Sequence, residues 1–291
     1  MYGRRQQQYG RGGRSSGGSG RFKLMLIIGL GMAAFQGIKF MTNTQLNPLT
    51  GENQRIAWTP SEEVQLGLQS VNQMAAQHGG LHPDAQAQEF VDRVGEKLVR
   101  NTIASESEYP YDFHLLADEQ TVNAFALPGG QCFITAALFS QLQNEDQLAG
   151  VLGHEIGHVI HRHGGERMAS QNFIQGMVQS VMIMFGGDYS MMNIASMVGQ
   201  YASMKYGRDQ ELESDDWGIR LMMEAGYDPL QMIDVMDILE KASGGGGKVP
   251  EFQSTHPSPD NRRQKIKESI EKYNAIPVSY THLTLPTNRE V

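Results

Sequence analysis

The run VLGHEIGHVIHRHG, residues 151–164, limits what this chain can fold into more than any other stretch. Val151, Leu152, Ile156, Val159 and Ile160 make the helix read over residues 145–163 otherwise apolar, so that helix must be buried. It nevertheless carries Glu155 and four histidines, His154, His158, His161 and His163. Buried imidazoles and a buried carboxylate need partners, and a cation can supply one. On a helix, side chains at i and i+4 lie one above the other, so His154 and His158 can turn two ring nitrogens to one ion. Glu155 sits one position round, close enough to face a water at that ion without binding the ion itself. This is the physical logic of the H-E-x-x-H zinc motif.

A catalytic zinc takes three protein ligands and keeps a position for water. The metzincin continuation would need Gly at 161 and His at 164, whereas the chain has His161 and Gly164. One straight helix does not wrap three ligands around a tetrahedral ion, so His161 and His163 are expected at the surface or behind the ligands. A better source is GRDQELESDDWGIRLM, residues 207–222, where Glu211 and Asp215 form an i, i+4 pair of acids. One can bind the metal while the other accepts the free N–H of a ligand histidine. Glu213 is the rival ligand, but its i+4 neighbour is Trp217. A solvated acidic face would carry the same acids; the stripe of Leu212, Trp217, Ile219 and Leu221 argues for a packed helix.

Around these two helices the chain reads as helical with one short region of strands. Helices are expected from Ser61 to the Gly79-Gly80 stop and within HPDAQAQEFVDRVGEKLVRN, residues 82–101. YDFHLLAD, residues 111–118, alternates as a strand should, and NAFALPGGQCFIT, residues 123–135, is a second strand-like stretch broken at Pro128-Gly129-Gly130. Residues 42–60 read as a linker. The Met-rich segment 168–206, interrupted at Gly186-Gly187-Asp188, is too short and polar in each half to span a bilayer, and suits core gaps or the binding of apolar clients. Further helices are expected at 208–225, 228–242 and about 258–274. The fold class is α+β. Cys132 is the single cysteine, which excludes an internal disulfide.

The two ends are different in kind. Residues 1–23 carry five Arg, one Lys and no acid, so the rest of the chain must sum to −14 to give the overall −8. This Gly/Arg tail has little to bury and reads as disordered. It leads directly into FKLMLIIGLGMAAFQGIKFM, residues 22–41, a run long enough to cross a bilayer. Positive charge ahead of a lone apolar segment keeps that side in the cytoplasm and puts the bulk of the protein on the other side, so the arginines are read as membrane-directed and no nucleic acid is expected. The transmembrane anchor is placed at residues 24–41; a cleaved signal peptide, with Leu24–Leu30 as its apolar part and Gly31-Met32-Ala33 at the cut, is the alternative. At the other end VSYTHLTLPTNREV, residues 278–291, continues no period, and VSYTHL back-translates as GTC-TCT-TAT-ACA-CAT-CT, like read-through of a sequencing adapter. Residues 277–291 are therefore expected to be non-native, and His282 is set aside as a ligand.

NAFALPGG, LGHEIGHVIHRHG, GRDQELESDDWG and STHPSPDNR, in this order, resemble a membrane-associated zinc peptidase family. That family contains the CAAX-prenyl protease, the heat-shock membrane protease and bacterial periplasmic outer-membrane-assembly proteases. The likeness covers roughly residues 60–270 and is nearest the single-anchor or periplasmic bacterial members. It implies a gluzincin-type domain over residues 61–276 with one zinc per chain. His154, His158 and Glu211 would be ligands, Glu155 the general base, and Asp215 the acceptor that steadies a ligand. Ser214 stands where relatives usually have Ala, and Gly207 where Ser is common. His256 and Arg262 fall at positions that face the zinc in relatives, where the histidine either steadies the transition state or closes the open metal position and holds the enzyme latent. The strand at Gly130, Gln131, Cys132 and Phe133 would receive an extended substrate as a further strand.

The expected activity is endoproteolysis of unfolded or misassembled proteins at a bacterial envelope. The domain would be inner-membrane anchored on the periplasmic side, or free in the periplasm if the N-terminal segment is cleaved. A zinc-stabilised chaperone or assembly factor, holding clients on the Met-rich segment, is the rival from another class.

Overall fold

The computed structural model describes residues 17–185, 189–243, 251–257, 259 and 261–275. Its elements in chain order are α1 (Gly17–Thr42), β1 (Thr44–Leu46), β2 (Asn53–Arg55), α2 (Pro60–Gln77), α3 (Ala85–Arg100), β3 (Asp112–Leu116), β4 (Ala124–Leu127), β5 (Gln131–Thr135), α4 (Ala136–Phe139), α5 (Glu145–Ile160), α6 (His163–Met184), α7 (Tyr189–Glu224), α8 (Gln231–Ser243), α9 (Glu251–Thr255) and α10 (Arg262–Asn274). Helices dominate and two small sheets accompany them, the α+β class read from the sequence. Most of the basic tail, the Met-rich side chains of 189–206 and the C-terminal string 277–291 lie outside the described residues. The described residues form two compact units, one within residues 1–43 and 170–202 and the other within residues 44–169 and 203–291.

In the first unit α1 packs on the C-terminal part of α6. Phe40 stacks on Phe173 with ring centroids 4.5 Å apart, and a Cβ on Gly29 would lie 2.2 Å from Met184 Cγ. Gly20–Thr42 is the one helical stretch among the described residues long and apolar enough to cross a membrane. Its outer side chains are bare: Ile27 is 67% exposed and Phe35 65%.

The core of the second unit is built on α5, which is buried from Gln147 to Ile160. Val91, Val94 and Leu98 of α3, Phe113 and Leu115 of β3, Ile134 of β5, Ile219 and Met222 of α7, Val235 of α8 and Ile266 of α10 join it in one apolar cluster. The three-stranded sheet has the order β3-β5-β4, with β3 parallel and β4 antiparallel to β5. Pro128-Gly129-Gly130 joins β4 to β5, and Gly129 takes φ 83° where a Cβ would lie 2.4 Å from Val64 Cα, so only glycine fits.

Two small-residue contacts set the distance between α5 and α7. A Cβ on Gly153 would meet Gly218 O at 3.3 Å, and one on Gly157 would meet Ser214 O at 2.9 Å. The backbones therefore approach closely, which brings the two polar helix faces together. The sequence suggests separate helices before and after residue 208; α7 is one helix running from the first unit into the second.

Residues 42–60, expected as a linker, fold instead. β1 and β2 pair antiparallel, with Asn47 and Gln54 buried beside them. Their amides donate to the carbonyls of Ile160 at 2.7 Å and His161 at 2.6 Å, which the end of α5 leaves without helical partners. The helix stops at Ile160 because Arg162 takes the left-handed φ of 54°. Its guanidinium donates to Glu63 Oε2 (2.8 Å), Gln45 Oε1 (2.9 Å) and the Trp58 carbonyl (2.8 Å), which hold this strained turn.

Candidate metal centre

His154 and His158 point from α5 towards Glu211 on α7. Their Nε2 atoms are 3.1 Å apart, and the Glu211 oxygens lie 3.3 Å from His154 Nε2 and 3.4 Å from His158 Nε2. Ligands of a tetrahedral zinc with bonds of 2.0–2.1 Å stand about 3.3 Å from one another, so the three groups fit one such ion. Glu155 is 1% exposed, and neither carboxylate oxygen has a hydrogen-bond partner. A buried carboxylate without hydrogen bonds is costly. This one lines a cleft of about 300 Å³ together with His158, His256 and residues of β4.

The electrostatics ask for a positive charge at the same point. Burial pushes His158 down to about 3, leaving a neutral ring with a lone pair to offer. At His154 burial acts in the same direction, but hydrogen bonds to Asp215 and Glu211 outweigh it and raise the group to about 9. Burial would lift Glu211, yet His256 and His158 hold it well below the usual carboxylate range. Burial keeps Glu155 above its usual value.

Asp215 stands behind the centre. Its Oδ1 is 2.9 Å from His154 Nδ1, which leaves that ring's Nε2 facing Glu211. Arg262 donates to both oxygens of Asp215, at 2.7 and 2.8 Å, and its Nη1 is 3.6 Å from Glu211. The expectation that Arg262 faces the reacting group is therefore corrected: it lies behind His154, engaged by two carboxylates, and does not line the cleft. His256 comes much nearer. Its Nδ1 lies 3.2 Å from each Glu211 oxygen and 3.4 Å from His154 Nε2, while Nε2 is 3.2 Å from the Ala124 carbonyl and 3.6 Å from Glu155 Oε1.

A second correction concerns Gly130, Gln131, Cys132 and Phe133. β5 is paired on one side with β3 and on the other with β4, and Gly130 sits in the turn, so this strand has no free edge for a substrate. Among the described residues β4 does have one, and Asn123, Phe125, Ala126 and Leu127 line the cleft.

His161 and His163 are 3% and 1% exposed, so of the two places expected for them, at the surface or behind the ligands, the surface is excluded. The break at Arg162 turns His163 back onto the centre, where its Nδ1 lies 2.8 Å from His158 Nδ1 and its Nε2 3.0 Å from Glu213 Oε2. A straight helix hides this contact. The one sequence sign of it is the histidine crowding after HEIGH. Ser214, a small-for-small change by sequence, is buried with its Oγ 3.3 Å from His163 Nδ1.

A family model described as peptidase family M48 matches residues 85–270, which contain all of these groups. The chain belongs to peptidase family M48. It is 31% identical over 228 residues to the beta-barrel assembly-enhancing protease of Yersinia pestis, a match covering 75% of this chain and 46% of that one. The protein of that name from Escherichia coli K12 is 29% identical over 211 residues, covering 69% and 42%. The mitochondrial metalloendopeptidase OMA1 of Schizosaccharomyces pombe is 26% identical over 241 residues, covering 80% and 68%. The chain thus spans less than half the length of the two bacterial relatives. Its M48 domain is a metalloprotease domain, and the family implies a metal that the clustered His154, His158, Glu211 and His256 are arranged to hold.

Proposed function

We propose that this M48 chain is a zinc metalloendopeptidase in which His154, His158 and Glu211 hold the ion and Glu155 is the general base. The observation that carries this reading is the buried Glu155 carboxylate on the cleft wall, without a hydrogen-bond partner, beside three donors spaced for one tetrahedral cation. The chemistry that zinc supplies in such a set is Lewis acidity, which makes water a nucleophile near neutral pH and polarises a carbonyl. Glu155 takes the proton of the attacking water and returns it to the leaving amine. Asp215, fixed by Arg262, accepts from His154 Nδ1 and keeps that ring turned to the ion. The free edge of β4 pairs with an extended substrate along the cleft. Replacing Glu155 by Gln should abolish casein hydrolysis and leave the zinc held by His154, His158 and Glu211 in place; undiminished hydrolysis would remove Glu155 from the mechanism.

The position of His256 favours a second reading of the same site, a latent peptidase. Its Nδ1 lies within 3.4 Å of His154 Nε2 and of both Glu211 oxygens, near enough to act as a fourth ligand. His256→Ala should then raise hydrolysis; a fall would assign His256 to transition-state stabilisation instead.

The substrates proposed are unfolded or misassembled envelope proteins, in keeping with the printed names of the bacterial relatives. The chain is read as a single-anchor member, α1 being the membrane anchor and residues 61–276 the catalytic domain, on the periplasmic side of a bacterial inner membrane. Fractionation with protease protection of intact spheroplasts tests this placement, and a carbonate-extractable, protected domain would contradict it.

A further inference from the structure

Behind His158, one group of side chains has been given no role as a ligand or base in this chemistry, although its member His163 reaches the cleft wall. His161 follows α5, His163 opens α6, Glu213 lies on α7, and Glu52 lies between β1 and β2. His161 is buried, and neither of its ring nitrogens has a hydrogen-bond partner. Its Nδ1 stands 3.9 Å from Glu213 Oε2 and 3.8 Å from Glu52 Oε2, beyond hydrogen-bond range. His163 Nε2 is 3.0 Å from the same Glu213 oxygen, and the two histidine rings stack with centroids 5.3 Å apart. One donor atom from each of His161, His163 and Glu213 falls within 4.8 Å of the others. Two imidazoles and a carboxylate suit a borderline dication, whose ligands stand about 3.3 Å apart in a tetrahedral site. A buried imidazole without a partner is the kind of group that an ion satisfies.

We propose that His161, His163 and Glu213 form a second divalent-cation site, and that an ion there opposes the one at His154, His158 and Glu211. The opposition rests on the reading that His158 turns Nε2 to the first ion. His158 Nδ1 and His163 Nδ1 are 2.8 Å apart, a hydrogen bond with one donor and one acceptor. With Nε2 on the metal, His158 carries its hydrogen on Nδ1 and donates it to His163. His163 then holds its own hydrogen on Nε2 and donates to Glu213. A cation at His163 Nε2 needs that lone pair and moves the hydrogen to Nδ1, where two N–H groups face each other. Ser214 Oγ, 3.3 Å from His163 Nδ1, offers the displaced hydrogen an acceptor, so the first ion is weakened rather than expelled. By reciprocity each ion lowers the affinity of the other by the same factor.

The test is a calorimetric titration of the metal-stripped full chain in detergent with Zn²⁺, alongside casein hydrolysis. Wild type should bind two equivalents, the second weaker by roughly tenfold or more. Hydrolysis should rise through the first and fall through the second. His161→Ala and Glu213→Gln should each lose the second equivalent and keep the first, with hydrolysis level across the range that inhibits wild type. A single equivalent in wild type, or a second one that persists in both variants, overturns the outer site. Two equivalents without a fall in hydrolysis overturns the opposition. No uptake at all points instead to failure of the first centre, and removes the coupling with it.

Discussion

Replacing Gly157 by Ala tests how tightly the centre depends on helix spacing. A Cβ there would lie 2.9 Å from Ser214 O and 3.0 Å from Ser214 Cα, where carbon contacts settle at about 3.5–4.0 Å. The opposing atoms are backbone and cannot rotate aside, so α7 must shift by roughly 0.5 Å or more. Two terms then compete in the metal-free protein. Alanine gains roughly 1 kcal/mol of helix propensity over glycine, while overpacking costs about 1–3 kcal/mol. The net loss is about 0–2 kcal/mol, which at about 2–4 °C per kcal/mol lowers Tm by no more than about 8 °C. The metal feels more, because ligand distances tolerate only about 0.2 Å and Glu211 rides on the shifted helix. Zinc affinity should fall by about 10–100-fold, the size seen when the groups that orient a ligand are lost. Competition against a chromogenic chelator gives the affinity, and melts in chelator give the metal-free Tm. An affinity within about threefold of wild type, against the 10–100-fold expected, would refute the view that this contact sets the ligand geometry.

Asp215→Asn strips buried Arg262 of its hydrogen-bonded carboxylate and leaves only Glu211 at 3.6 Å, a loss of about 3–5 kcal/mol, so the metal-free Tm should drop by at least about 6 °C; a drop under about 2 °C would contradict the pairing. Zinc at roughly 100 times its Kd should add about 2.7 kcal/mol of stability, and Glu211→Gln should lose most of that gain; equal shifts in both proteins would rule Glu211 out as a ligand. Burial alone would raise Asp118, but hydrogen bonds from Thr121, Gln120 and His78 hold it well below 3.8. Its contribution is thus present above the unfolded value and lost as pH falls below it, so the stability gap between wild type and Asp118→Asn should close from about pH 5 downwards in urea titrations. A gap that widens on acidification would reverse the sign of this assignment.

Much of the centre follows from local rules. The i, i+4 spacing places His154 and His158 on one face, and the same spacing places Glu211 and Asp215 one turn apart on α7. The alternation of residues 111–118 and the Pro-Gly-Gly break after Leu127 give β3 and the β4–β5 hairpin. What escaped depends on contacts distant in sequence. Strand order makes β5 central, and alternation within a strand carries no information about which neighbour flanks it. The polar stretch 42–60 conceals Asn47 and Gln54, whose buried amides answer carbonyls more than 100 residues away. Arg162 ends α5 through Glu63, Gln45 and Trp58, and without that break His163 would stand off the His158 ring. Arg262 looks like a catalytic cation from its motif; only the packing reveals that Asp215 has claimed it.

The clasp of the β1–β2 hairpin on the exit of α5 bears on how a soluble version of this M48 domain should be cut. Trimming at the start of α2, near Pro60, would remove Asn47, Gln54, Gln45 and Trp58 at one stroke, and with them the anchors of the turn that aims His163. A truncated domain starting there would be crippled at its centre by the loss of residues that lie outside the cleft, whereas one starting at Asn43 retains every strut.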